Sequence, residues 1–138
     1  MRDLVREALR MRPDRIVVGE ARGAEVVELL GAMNTGHDGG AGTVHANSPS
    51  EVPARLEALA ALGGLSRGAL HSQLAAAVHV VLHMARDAGG RRRLTEIGAV
   101  QRGADGVQVR AVWRADGWTG ERELLAAMLR PRGVEPPW

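Results

Sequence analysis

The sequence predicts an α/β fold: a mainly parallel sheet carrying helices, extended at one edge by an antiparallel meander. Three observations predict it. Short β-branched runs alternate with helix-periodic stretches in the first part of the chain, the order that builds parallel sheets. From His79 onward, strand-like runs follow one another across turn dipeptides instead. The 138 residues, 45% of them hydrophobic, suffice for one domain with a core, and no repeat or linker divides them.

Taken in order, Leu4, Val5, Ala8 and Leu9 recur at helical spacing, so a short amphipathic helix is expected over 2–11, ended by Pro13-Asp14. Ile16-Val17-Val18 is too apolar for an exposed strand and too short for a helix, so it reads as a buried central strand. A second helix is expected over 24–34, apolar on more than one stripe, with Gly36 as a left-handed cap. The glycine-dense loop 36–42 leads into a short strand, Thr43-Val44-His45-Ala46. Ser48, Pro49 and Glu51 have the pattern of a capping box opening a helix that runs to Leu62, with Leu56, Leu59 and Leu62 on its apolar face. Ser66 caps a further helix to Val78. A strand over 79–85 follows, then strands over 92–101 and 107–113 joined by a hairpin turn at Gly103-Ala104-Asp105-Gly106. Asp116-Gly117 turns the chain again before a last helix over 121–130 and a proline-rich tail.

Composition excludes several chemistries. There is no Cys, which removes disulfides, thiol nucleophiles and Cys-ligated zinc, and fits a reducing compartment. No apolar run reaches the length of a membrane span and Met1-Arg2-Asp3 does not begin a signal peptide, so a cytoplasmic chain is expected. All eighteen basic side chains are Arg, which inflates the pI to 10.8 although the formal net charge is only +2. With no Lys, a G-x-x-x-x-G-K-[ST] phosphate loop cannot be written in these residues. Three Trp and no Phe or Tyr leave little for stacking bases. With charges balanced as well, nucleic acid is not an expected partner.

The chemistry centres on one carboxylate. Glu20 follows Gly19 at the carboxyl end of the first strand, where open α/β sheets bind their ligands. From the pattern alone, a positioned acid and a solvated strand tip are both open. Two ordered blocks decide the direction. Leu9-Arg10-Met11-Arg12-Pro13-Asp14-Arg15-Ile16-Val17-Val18-Gly19-Glu20-Ala21-Arg22 resembles the Walker B segment of the type II and type IV secretion ATPases, and Gly42-Thr43-Val44-His45-Ala46-Asn47 resembles their histidine box. The linking stretch from Ala32 to Gly39 is similar to the tight-adherence (Flp) pilus assembly branch of that family.

The resemblance implies a partial RecA-like (P-loop NTPase) domain over residues 1–138, a three-layer sheet with helices and an antiparallel hairpin extension. It implies Glu20 as the Walker B acid, polarising the attacking water or supporting the Mg²⁺ shell at the γ-phosphate. His45 would sense the γ-phosphate, since a neutral imidazole can donate one hydrogen bond and accept another. Thr43 and Asn47 would be secondary polar contacts, and Arg22 a phosphate or subunit-interface contact. The complete family protein would use ATP and Mg²⁺ as a hexamer. It would work at the inner face of the cytoplasmic membrane with inner-membrane secretion or pilus components. The family's phosphate loop and acidic box precede Walker B and are not among these residues. The chain alone is therefore expected to bind ATP weakly or not at all. The alternative is a non-catalytic interaction module that docks on intact ATPase subunits or membrane partners.

Other candidates read as structural. His79 and His83 are four apart on a strand, too far along it to share a metal ion. His71, with no partner in sequence, is expected at the surface. Arg91-Arg92-Arg93 is expected as a solvated turn, with contact to acidic phospholipid or a neighbouring subunit as the alternative. Glu121 and Glu123 complement the dipole of the last helix. Half of a parallel sheet would expose an edge, so self-association is expected.

Overall fold

The computed structural model describes residues 2–36 and 39–138, so His37 and Asp38 of the glycine-dense loop lie outside the described residues. Its elements are α1 (Arg2–Arg10), β1 (Val17–Val18), α2 (Glu25–Met33), β2 (Ala41–Gly42), α3 (Val52–Leu62), α4 (Arg67–Ala77), β3 (Val80–Arg86), β4 (Arg92–Gly103), β5 (Gly106–Arg114), β6 (Gly117–Trp118) and α5 (Arg122–Leu129). Short 3₁₀ turns, Pro49–Glu51 and Arg130–Arg132, precede α3 and follow α5.

An α/β protein results, but its sheets differ from the expectation. The strands form two sheets: β1 and β2 pair in parallel by themselves, and β3-β4-β5-β6 form a separate antiparallel meander. The meander is thus the larger sheet and no extension of the parallel one. The first strand is not buried on both faces. Ile16 and Val18 are covered by α1 and α2, while Val17, on the opposite face, is 72% exposed, with no described residue burying it. The second strand falls at Ala41–Gly42 rather than 43–46. Gly42 passes so close to α2 that an added Cβ would stand 2.7 Å from Leu29 Cδ2, which confines the close approach to a glycine.

α2 joins two cores. Leu29 and Ala32 pack with Val5, Ile16 and Val18 in a small cluster under the parallel pair. Val26 and Leu30 face the larger cluster, built with Leu56 and Leu59 of α3, Leu70 and Leu74 of α4, and Val100 and Val107 of the meander. The two stripes expected on this helix are therefore buried against two different surfaces.

Three local expectations need correction. The capping box at Ser48 does not form: Ser48 Oγ pairs with Ser50 Oγ, Glu51 accepts from Asn47 Nδ2 at 3.0 Å, and a 3₁₀ turn precedes α3. Leu62 is exposed, at the last residue of α3. His71 is buried, only 8% exposed. Its Nδ1 accepts the Val107 N–H at 2.7 Å, so the proton sits on Nε2, which donates to Glu57 Oε1 at 2.7 Å. Arg67 Nε reaches the other oxygen of Glu57, and its Nη2 donates to the Asp105 carbonyl. The imidazole thereby ties α3, α4 and the β4–β5 turn together. Gly106, at φ +130, passes under its ring, where a Cβ would stand 2.6 Å from Nδ1.

Other local expectations hold. Ser66 Oγ accepts the Ala69 N–H at 3.4 Å and caps α4. The β4–β5 hairpin turns through Ala104-Asp105, with Gly103 opposite Gly106. Among the described residues no helix is long and apolar enough to cross a membrane.

Candidate functional site

Pairing of the two parallel segments runs past the formal strands and carries the candidate residues together. Ala41 N–H donates to the Ile16 carbonyl at 3.0 Å, Thr43 N–H to Val18 at 3.3 Å, and Ala21 N–H to Thr43 at 2.8 Å. The Thr43 hydroxyl donates to the Gly19 carbonyl, closing the ladder beside Glu20. Two residues further on, both chains leave the ladder at the carboxyl ends of their strands, and Glu20 meets His45.

Glu20 Oε1 stands 2.9 Å from His45 Nε2 and 2.6 Å from Arg22 Nε. Neither contact meets hydrogen-bond geometry, so this solvent-shielded oxygen has two basic neighbours and no aligned donor. The surroundings are open: the Glu20 side chain is 27% exposed and that of His45 82%. The Arg22 guanidinium beside Glu20 holds its carboxyl below the usual carboxylate range, with partial burial opposing and His45 assisting. Reciprocally, Glu20 makes the Arg22 guanidinium hold its proton more firmly. An ionised, acceptor-only carboxylate next to an imidazole can take a proton from water or hold a hydrated cation.

The other expected residues have different surroundings. Thr43 is engaged by its bond to Gly19, a contact that holds the ladder. Asn47 turns to Glu51 at the start of α3, and no hydrogen bond or ion pair joins it to Glu20 among the described residues.

Glu25 was not anticipated. At the first turn of α2 its buried carboxylate accepts the backbone N–H groups of Arg22 at 2.8 Å and Gly23 at 3.1 Å. Those bonds, the Arg22 one foremost, lower its pKa against the effect of burial. They fix the loop that presents Glu20 and Arg22. The available signal was an acid at the first turn of a helix, three residues after the turn that begins it.

The comparisons with known proteins agree in direction. The family model described as "Type II/IV secretion system protein" matches residues 1–126. A Mycobacterium tuberculosis protein named for conjugal transfer is 66% identical over 133 residues, 96% of this chain and 38% of the relative. Conjugal transfer protein TrbB of Rhizobium radiobacter is 39% identical over 92 residues, 67% of this chain and 28% of the relative. Among solved structures, the VirB11 ATPase of the Brucella suis type IV secretion system, crystallised with sulphate, superposes with a TM-score of 0.64 at 28% identity. It covers 70% of this chain and 31% of that one. The chain thus spans well under half the length of the relatives it matches. With the family model covering nearly its whole length, the chain belongs to the type II/IV secretion system protein family.

Proposed function

We propose that this chain carries the hydrolytic acid and the phosphate sensor of a secretion-system ATPase. Glu20 is the acid that orients the attacking water, and His45 the group that reads the terminal phosphate. The observation that carries the reading is the 2.9 Å approach of His45 Nε2 to Glu20 Oε1 at the carboxyl ends of a parallel strand pair. In open α/β sheets that is where ligands bind.

The residues present fit Mg-ATP as one side of a site. Mg²⁺ keeps several waters and takes one or two carboxylates plus phosphate oxygens, so a single ionised carboxylate at the strand ends suits its hydration shell. When bound, the nucleotide supplies the electrophilic phosphorus, and its metal neutralises charge on the phosphate oxygens. The chain's own part is smaller. Glu20, ionised at neutral pH, accepts a hydrogen from water, and Arg22 is long and exposed enough to turn toward a phosphate. Loss of a phosphate reaches the chain through His45, whose segment leads by Asn47 and Glu51 into α3.

In the longer protein this machinery belongs to a hexameric motor at the inner face of the membrane, coupling hydrolysis to export or to pilus assembly of the tight-adherence type. Thr43 and Asn47 are secondary polar contacts there. The isolated chain, without a phosphate cradle among its residues, binds ATP poorly. Calorimetric titration of the chain with Mg-ATP is expected to give no micromolar affinity, and a micromolar constant would overturn that point. The acid is tested in a chimera joining the chain to the segment of the M. tuberculosis relative outside the match. There Glu20→Gln is expected to lower kcat by about 10²-fold or more with ATP affinity little changed. Unchanged turnover would remove Glu20 from the reaction.

A further inference from the structure

We propose that Glu25 is a positioning residue of the site: by tying the Arg22 and Gly23 amides to α2, it holds the Arg22 guanidinium on the Glu20 carboxylate. The direction of its bonds is the first observation. An acid at the start of a helix ordinarily caps it, accepting N–H groups that the helix itself leaves open. In α2 two of these are served by backbone: the Val26 N–H donates to the Gly23 carbonyl at 3.3 Å and the Val27 N–H to that of Ala24 at 3.1 Å. Glu25 Oε1 turns the other way and takes the N–H groups of Arg22 and Gly23, which precede the helix. Neither N–H has another acceptor among the described residues. The carboxylate therefore serves the loop and not the helix.

This hold begins where that of the sheet ends. The Thr43 hydroxyl fixes the Gly19 carbonyl, and buried Ala21 donates its N–H to the Thr43 carbonyl. Arg22 is the next residue along. Its side chain, 75% exposed, doubles back to Glu20 Oε1 at 2.6 Å, so the contact depends on where its backbone is held. Gly23 completes the seat: an added Cβ would stand 3.2 Å from Glu25 Oε2, so a side chain there crowds the carboxylate. Glu28, one turn along α2, supplies the contrast. Its side chain is similarly buried, but its carboxylate bonds Arg2 and Arg6 of α1 and so joins two helices instead.

Removing Glu25 has two effects on Glu20, and they differ in sign. Arg22 keeps the Glu20 carboxyl below the usual carboxylate range, so a loop released from α2 lets the guanidinium move off and the carboxyl rise. Loss of the Glu25 charge acts the other way, since taking away a neighbouring anion lets Glu20 ionise more readily. A rise on removal of Glu25 therefore reports the loop and not the lost charge. The kinetic consequence rests on Glu20 being the hydrolytic acid; the geometric one does not.

The test has two arms. In the chain itself, the Glu20 carboxyl is titrated by carbon NMR. Glu25→Ala and Arg22→Gln are each expected to raise its midpoint toward the ordinary glutamate value, and the double variant to rise no further than Arg22→Gln alone. Glu25→Gln, whose amide oxygen still accepts both N–H groups, is expected to show no rise, and neither is Glu28→Ala. Should Glu25→Ala not fold, Gly23→Ala is expected to raise the midpoint with the acid still in place. In the chimera described above, Glu25→Ala is expected to lower kcat about tenfold with ATP affinity changed less than about twofold, and Glu25→Gln to recover most of the loss. The acid limb of its pH–rate profile should move to higher pH. An unmoved Glu20 midpoint in folded Glu25→Ala, additive shifts in the double variant, or an equal rise in Glu28→Ala would each overturn the proposal. Turnover unmoved by Glu25→Ala but lost in Glu20→Gln would overturn it too. Turnover unmoved by both, with the midpoint raised as expected, would uphold the hold on Arg22 and overturn the assignment of Glu20 as the acid.

Discussion

The parallel pair and the meander hold together in different ways. β1 and β2 contribute two residues each and bury one face against a small cluster. β3, β4 and β5 contribute seven, twelve and nine residues and share a large core with three helices. Yet the candidate chemistry lies on the weaker pair. What holds it is a set of directed bonds: Thr43 to Gly19, Ala21 to Thr43, and Glu25 to the Arg22 and Gly23 amides. The comparison teaches that burial secures the body of this chain, whereas hydrogen bonds secure its site. Substitutions should therefore separate stability from site geometry.

The largest effect is expected in the meander core. Leu70→Ala empties a fully buried position between α4 and the sheet and should destabilise by about 2–5 kcal/mol in urea unfolding. A loss under about 1 kcal/mol would mean that this core is not what holds the chain together.

Next comes the buried imidazole, where the two modes of support meet. His71→Ala leaves the Val107 N–H without its acceptor and should cost about 1–3 kcal/mol, measured the same way. Amide exchange should quicken first at the β4–β5 turn. A uniform change across the sheet would show that the imidazole acts through its volume alone.

The smallest effect belongs to the site loop and to acid. Several carboxyls have pKa values below their ordinary range, among them Glu25 through its backbone donors and Glu57 through His71. A lowered carboxyl contributes stability above its unfolded value, near 4.5, and loses it as pH falls through the folded value. Melting temperature should therefore drop as pH is taken from about 6 to about 3. In Glu25→Gln the amide oxygen can still accept both N–H groups without titrating, so part of that drop should vanish. An identical acid profile would show that the Glu25 charge contributes nothing.

Legibility in the sequence followed the range of the interaction. The Ser66 cap, the Gly103–Gly106 hairpin and the Asp116-Gly117 turn were readable because each is decided within a few neighbouring residues. The Ser48 capping box was readable by the same rule and did not form, because Asn47 and Ser50 compete locally for the same partners. His71 could not be read, since its two partners stand 14 and 36 residues away. Glu25 fell between: its acid at a helix start was visible, but not that its amide donors belong to the loop bearing Glu20.

The amino-acid sequence by itself determined the element types, most turns, the absence of thiol chemistry and of a lysine-bearing phosphate loop, and the two blocks containing Glu20 and His45. Each depends on composition or on neighbours along the chain. Only the tertiary structure decided that the strands form two sheets, that Val17 faces outward, and that Glu20 and His45 approach to 2.9 Å. Those depend on which distant segments pair, and pairing is set by the summed burial and hydrogen bonding of the whole chain, a quantity that no local window contains.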